Sequence, residues 1–259
     1  MGELIPLFPL GTPLFPGVVL PLHIFEPRYR RLVADLLGLP EAGGRRFFGV
    51  VAIRQGWEVE QVAPARALYD VGCTAQLEAV RPESDGGFRI VTVGGRRFRL
   101  LDVVVGDDPP YLQAEIEWLD DEEAAEEAAG DSEGLADPTQ HDEVTAAVAR
   151  GSLSVLTGVV RELFARYVGE VAARGAGGDE EEAARLLTAA PDDPTSLSWV
   201  VAAAALLTTE DRQALLAESA TRRRLAVESR LLRRELTLLQ TLGAVPVPLQ
   251  DLAVPMAVN

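Results

Sequence analysis

The sequence predicts an α+β fold in which a curled β-sheet or small barrel comes first and a helical bundle follows. Three observations predict it. Up to Trp118 apolar and polar residues alternate with a period of two between turn-forming clusters. Beyond it the apolar spacing lengthens to about 3.6. Between the halves lies the charge that makes the chain acidic: residues 100–149 hold sixteen of the 40 acids and no arginine, leaving 24 acids against 24 arginines elsewhere. The whole net charge of −16 therefore belongs to one segment, and such a run reads as a solvated connector. The expected organisation is a β domain over residues 1–118, an acidic linker over 119–143, a bundle over 144–242 and a loosely held tail over 243–259.

In the β half, "RRFFGVVAIR" (45–54), "LYDVGCTAQLEAV" (68–80), "GFRIVTVG" (87–94), "RRFRLLDVVV" (96–105) and "YLQAEIEW" (111–118) are rich in β-branched and aromatic residues. Their separators "RQG", "PESDGG", "GG" and "GDDPP" are turn chemistry. In the last of these strands Leu112, Ala114, Ile116 and Trp118 share one face, and Gln113, Glu115 and Glu117 the other. Closure into a barrel would remove the exposed edges. One helix interrupts this half, over Pro27–Leu37. Pro27 suits the first helical position, Glu26 sits at the positive helix start and Gly38 follows the end. Leu32, Val33, Leu36 and Leu37 form its inward stripe.

The first helix of the bundle carries Leu156, Val159, Val160, Leu163, Tyr167 and Val171 on one face. Asp193 followed by Pro194 starts another helix, and Thr208 or Thr209 the next. The last runs over Thr221–Leu242, with Leu225, Leu232, Leu236 and Leu239 inward. Its arginines are expected on the wet face, partly paired, as in Arg224 with Glu228.

Several classes are excluded or disfavoured. Prolines at 6, 9, 13, 16 and 21 break the only long apolar stretch, so no membrane span is expected. The start "MGE" lacks the basic end of an export signal, which points to a cytoplasmic protein without membrane attachment. A single cysteine, Cys73, rules out an internal disulfide or a multi-cysteine zinc site. A zinc site would need both His23 and His141 plus carboxylates, and the acidic run lacks the spacing of a calcium loop. No metal and no cofactor are expected. The chain contains no lysine, which removes the P-loop lysine, Schiff-base chemistry and any Ser–Lys pair. Arginine cannot replace it as a base. The glycine-rich "VGGRRF" and "GAGGDE" fit no nucleotide fingerprint; the first is read as joining two strands.

His23 and Glu26, three apart, could act as a base and its orienter, but no serine or cysteine lies near them in sequence. Cys73, mid-strand, is read as a buried thiol. Arg96, Arg97 and Arg99, with Arg28/Arg30/Arg31 and Arg45/Arg46, form basic clusters interleaved with Tyr29, Phe47 and Phe98. They raise an RNA-binding alternative, against which stand the acidic field and the balanced charge of the flanking parts.

"LIPLFPLGTPLFPGVVLPLHIFEPRYRRLV" (4–33) resembles the opening of the Lon protease amino-terminal domain, in particular its free-standing bacterial forms. The resemblance continues through "FFGVVAIRQGWEV", "LYDVGCTAQLEAV", "FRIVTVGGRRFRLLDV" and "YLQAEIEWLDDE". It resumes at "PDDPTSLSWVVAAAALLTTEDRQALLAESATRRRLAVESRLLRREL". It implies a PUA-like β pseudo-barrel whose first strands come from the opening segment, followed by a helical bundle. It also implies capture of unfolded polypeptide, with the ATPase and Ser–Lys peptidase of full-length Lon expected to be absent. The reading is a non-enzymatic module for exposed apolar segments or a specific protein partner. Its surface would use Phe15, His23, Phe25, Glu26, Arg28 and Tyr29, although the favoured reading of each aromatic, Phe15, Phe25 and Tyr29, is that it fills the core beneath the helix. Beside it stand the RNA-binding reading and a hydrolase with an unrecognised carboxylate site. The residues leave oligomeric state open.

Overall fold

A computed structural model describes residues 2–39, 46–54, 64–121, 138–174, 184, 187–188 and 190–242. The chain divides into two compact units, Met1–Glu122 with Thr209–Ser219, and Glu123–Thr208 with Ala220–Asn259. The acidic run over 122–137 and the tail beyond 242 lie outside the described residues.

The first unit is built on β1 (Glu3–Leu10), β2 (Val19–Ile24), β3 (Phe47–Ala52), β4 (Val71–Pro82), β5 (Phe88–Val104) and β6 (Gln113–Leu119). The sheet order is β2-β5-β4-β3-β1-β6, and β6 also pairs with β5. Five strands thus close on themselves, and β2 is appended to the first half of β5. This is the predicted pseudo-barrel, filled by Ile5, Leu7, Val51, Leu68, Phe98, Ala114 and Ile116. α1 (Pro27–Leu37) has the predicted bounds and buries Tyr29, Leu32, Val33 and Leu36. Among the described residues a four-residue turn of helix, α2 (Pro64–Ala67), adds to the single helix expected there.

Prolines sit inside β1 without breaking it. The Leu7 N–H donates to the Leu112 carbonyl at 2.8 Å, whereas the Leu10 carbonyl accepts from Ile53 on the other side. Odd residues therefore face β6 and even ones face β3. Pro6 turns its nitrogen to the β3 side just before that ladder begins at Leu7, and Pro9 turns its nitrogen to the β6 side just after that ladder ends at Pro6. Each missing donor falls where no strand needs it.

The "GG" at 94–95, read from sequence as a turn, is instead the middle of one 17-residue strand. A Cβ on Gly94 would lie 1.9 Å from the Phe15 carbonyl oxygen. The glycine serves a close backbone approach, with the Gly17 N–H bonding the Gly94 carbonyl at 2.8 Å. One strand can therefore serve both the barrel and the β2 ribbon.

Cys73 is fully buried, and its S–H lies 3.5 Å from the Thr74 and Gly95 carbonyls. Burial pushes its thiol up to about 12, outweighing the Gly95 hydrogen bond and the Arg97 charge. The native protein should not react with a disulfide reagent at pH 8, and should release one equivalent once unfolded in guanidinium. Rapid native labelling would contradict this burial.

The second unit contains α3 (Pro138–Ala173), α4 (Pro194–Ala204) and α6 (Thr221–Leu242). Asp193 caps α4, its carboxylate accepting from the Ser196 N–H at 2.8 Å, and Pro194 follows as predicted. Val160, Leu163, Phe164, Tyr167 and Val171 of α3 meet Leu197 and Val201 of α4, and Leu225, Leu232, Leu236 and Leu239 of α6. The Tyr167 hydroxyl accepts from the Leu206 N–H at 3.0 Å. The helix between them in sequence, α5 (Thr209–Ala217), belongs to the first unit. No helix among the described residues is long and apolar enough to cross a membrane.

One expectation for α6 is overturned. Arg224 and Glu228 do not lie on a wet face; they are 0% and 1% exposed. The Arg224 guanidinium stacks 3.5 Å from the Trp199 ring centroid, its Nε donates to Ser198 Oγ at 2.7 Å and its Nη2 to Thr221 Oγ1 at 3.0 Å. An aromatic face and two hydroxyls receive the cation, which a heptad pattern cannot reveal.

Candidate functional site

A groove of about 340 Å³ opens between the end of β1, the end of β2 and the start of α1. Phe8, Pro9, Leu10 and Gly11 form one wall, Leu22, His23 and Ile24 the other, with Phe25, Glu26, Arg28 and Tyr29 at the helix end and Ile53 closing the set. Its size lies at the low end for ligand sites and its lining is mainly apolar.

The local sequence explains the shape. Glu26 stays extended (φ −68°, ψ 136°) because Pro27 disfavours helical geometry before it, so the strand turns abruptly into α1. Tyr29 is then carried under the turn, where its ring stacks on Phe8 with centroids 4.0 Å apart. Burial raises the Tyr29 hydroxyl above its ordinary value, against the lowering effect of Arg28. Phe25, on the outside of the bend, is 58% exposed, its ring 5.8 Å from that of His23. A large aromatic left in water beside an apolar slot is the unusual feature here.

Five of the six residues named from sequence, His23, Phe25, Glu26, Arg28 and Tyr29, line this groove. Phe15 does not. It is 1% exposed in the core, with the Arg212 guanidinium 5.6 Å from its ring centroid. Tyr29 and Phe8 form the buried floor, so of the three aromatics only Phe25 stands in water. The wall from Phe8 to Gly11, and Ile53, were missed by sequence reasoning, because they come from other strands and carry no local signal beyond hydrophobicity.

The imagined His23–Glu26 dyad does not form. His23 Nε2 contacts Glu83 Oε2 at 2.6 Å, while Glu26 pairs with Arg28 at 2.7 Å. Glu83 also pairs with Arg89 at 2.6 Å, a hydrogen bond that holds its carboxyl below the ordinary value. His23, Glu83 and Asp85 each offer a ligand atom within 4.8 Å of the others. The set is a surface salt link, since Arg89 already pairs with Glu83 and Asp85 Oδ1 accepts from the Gly87 N–H at 2.9 Å.

The basic patch of Arg96, Arg97 and Arg99 divides. Arg96 lies over the Trp118 ring at 4.5 Å and pairs with Asp120 at 3.1 Å. Arg97 is 2% exposed, contrary to the surface role predicted for it. Its Nη1 donates to the Leu216 carbonyl at 2.9 Å and to the Glu218 carbonyl at 3.3 Å, both at the end of α5. Its Nη2 donates to the Asp120 carbonyl at 3.2 Å and to Asp121 Oδ1 at 2.5 Å. The guanidinium thus clasps the negative end of a helix. Arg99 is exposed, and among the described residues no ring stacks on it and no carboxylate pairs with it.

Residues 4–234 match the family model of the ATP-dependent protease La (LON) substrate-binding domain. The chain belongs to this family. Within it, Lon protease 2 of Syntrophobacter fumaroxidans is 30% identical over 106 residues, covering 40% of this chain and 12% of that protein. Lon protease of Parabacteroides distasonis is 30% identical over 122 residues, covering 47% of this chain and 14% of that protein. The chain thus spans a small part of the length of these curated relatives. Among solved structures, a Lon N-terminal domain protein from Xanthomonas campestris aligns with a TM-score of 0.53 at 23% identity, covering 89% of this chain and 98% of that one. The N-terminal domain of Mycobacterium avium complex Lon protease aligns with the same TM-score at 18% identity and the same coverage. These likenesses support the fold of this Lon substrate-binding domain, PUA-like barrel first and helices after.

Proposed function

We propose that this Lon-family domain recognises exposed apolar polypeptide segments without catalysing a reaction on them, and that the groove beside Phe25 is where it does so. The observation that carries the reading is a 58%-exposed phenylalanine at the mouth of an apolar slot, in a chain whose family is defined by substrate binding. Burying an aromatic side chain contributes on the order of 1.5–3 kcal/mol, enough to make Phe25 a dominant contact in a small site. The absent lysines support recognition without Ser–Lys chemistry, and His23 bound to Glu83 is not arranged as a base beside a nucleophile. The RNA-binding alternative loses support because Arg97 is internal and Arg96 already has a ring and a carboxylate.

The test is fluorescence anisotropy with a reduced, carboxymethylated protein and with a labelled apolar peptide. Binding is expected, and Phe25→Asp should weaken it by about tenfold or more while leaving the thermal midpoint unchanged. Equal binding by Phe25→Asp would remove the groove from the reading. Absence of binding to both probes would end it.

A further inference from the structure

The edges of the strands flanking the groove indicate how a segment would lie in it. The Gly94 N–H donates to the Val18 carbonyl at 2.9 Å, and the register carries on as Val19 with Val93 to Ile24 with Phe88. Antiparallel pairing alternates, so Leu20, Leu22 and Ile24 exchange hydrogen bonds with β5. Val19, Pro21 and His23 then turn their main-chain groups to the opposite edge. Pro21 fits this arrangement, since it has no N–H to give β5. Among the described residues β5 is the only strand paired with β2. The groove meets β2 at Leu22, His23 and Ile24 and no β5 residue lines it, so it opens at the end of β2, from which the unpaired edge runs back to Pro21 and Val19. Across it, Pro9 turns its carbonyl away from β3, beyond the point where pairing with β6 stops.

Resting on the reading of the groove as a polypeptide site, we infer that its occupant is an extended, uncharged apolar segment that adds as a strand to the open edge of β2. The His23 N–H and carbonyl, the Pro21 carbonyl and the Val19 N–H and carbonyl would hold its main chain. One set of alternate side chains would point onto Leu22, Phe8 and Tyr29. The charge at the rim selects an uncharged occupant. Arg28 is matched by Glu26 at 2.7 Å and Arg89 by Glu83 at 2.6 Å, so the rim offers no net field to an acidic strand or a phosphate backbone. Main-chain pairing also lets such a site accept many sequences, because only the side-chain pattern, and not the identity, is read. Pro21 keeps the edge from being a general template by withholding one donor midway.

The experiment uses the full chain and a labelled peptide of alternating valine and threonine, with two derivatives N-methylated on one or the other set of alternate amides. Methylation removes the donor and blocks one edge of the peptide only. One derivative should lose about tenfold or more in affinity and the other less than about twofold. If both derivatives bind as the parent does, while Phe25→Asp still weakens the parent, strand addition is wrong and the groove reading survives. If the parent itself does not bind, both fall. Displacement of the bound peptide by a uridine oligonucleotide would assign the groove to nucleic acid and overturn the inference.

Discussion

Replacing Arg97 with alanine is expected to lower the unfolding free energy of the first unit by about 3–5 kcal/mol, a large share of what a domain this size possesses. The side chain is 2% exposed and donates to the Leu216, Glu218 and Asp120 carbonyls and to the Asp121 carboxylate. Its removal takes the donor from the buried Leu216 carbonyl, at about 1–3 kcal/mol, and also deletes its bonds to the half-buried Glu218 and Asp120 carbonyls and to Asp121. Asp121 is 37% exposed and recovers some hydration, which holds the effect toward the lower end of the range. The loss should be local first: amide exchange should accelerate over residues 209–219 before it does in β3 or β4. Arg97→Lys keeps a charge but not the fork that spans a helix end and a loop, and should recover only part of the loss. Urea unfolding of the three proteins measures this; a change below about 1 kcal/mol for Arg97→Ala would refute the clasp.

The second large effect lies in the bundle, at Arg224 and Glu228. Arg224→Ala should cost about 3–5 kcal/mol, because it opens a gap over Trp199 and removes the buried donor to Ser198 Oγ and Thr221 Oγ1. Neither oxygen of Glu228 has a hydrogen-bond partner among the described residues. Burial raises its carboxyl well above the ordinary value, and Arg224 only partly opposes this. In sign, a raised folded-state value means that the unfolded chain releases the proton first as pH rises. The contribution of Glu228 is therefore fully present below about pH 4.3, the ordinary glutamate value, and is lost progressively above it. Glu228→Gln removes the proton from the balance. The difference in thermal midpoint between the two proteins should then shift with pH, the wild type losing ground as pH rises above about 4. Parallel curves over that range would show that Glu228 does not titrate differently on folding.

How far the sequence anticipated this depends on whether each signal was local. Pro27 and Gly38 bracket α1, and Asp193 with Pro194 opens α4, because caps act within a few residues of themselves. The inward leucines of α6 were legible for the same reason. The glycine pair at 94–95 was misread because its cause, the Phe15 backbone pressing against the strand, is far away in sequence. Arg97 and Arg224 were misread alike. Charge on a periodic pattern argues for solvent unless something receives it, and here the receivers are α5 carbonyls and an indole on another helix. The site divides on the same principle. His23 to Tyr29 were found because strand end, bend and helix start are contiguous, whereas Phe8, Ile53 and the Glu83 partner of His23 arrive through tertiary pairing.

Because Phe88–Val104 is a single uninterrupted strand, the stretch that bears β2 and the stretch from which Arg97 reaches out form one beam. Anything wedged between β1 and β2 pushes against a member whose far half is bolted to the end of α5. If the groove takes a segment as proposed, how hard it can be pried apart would depend in part on a guanidinium that does not line it.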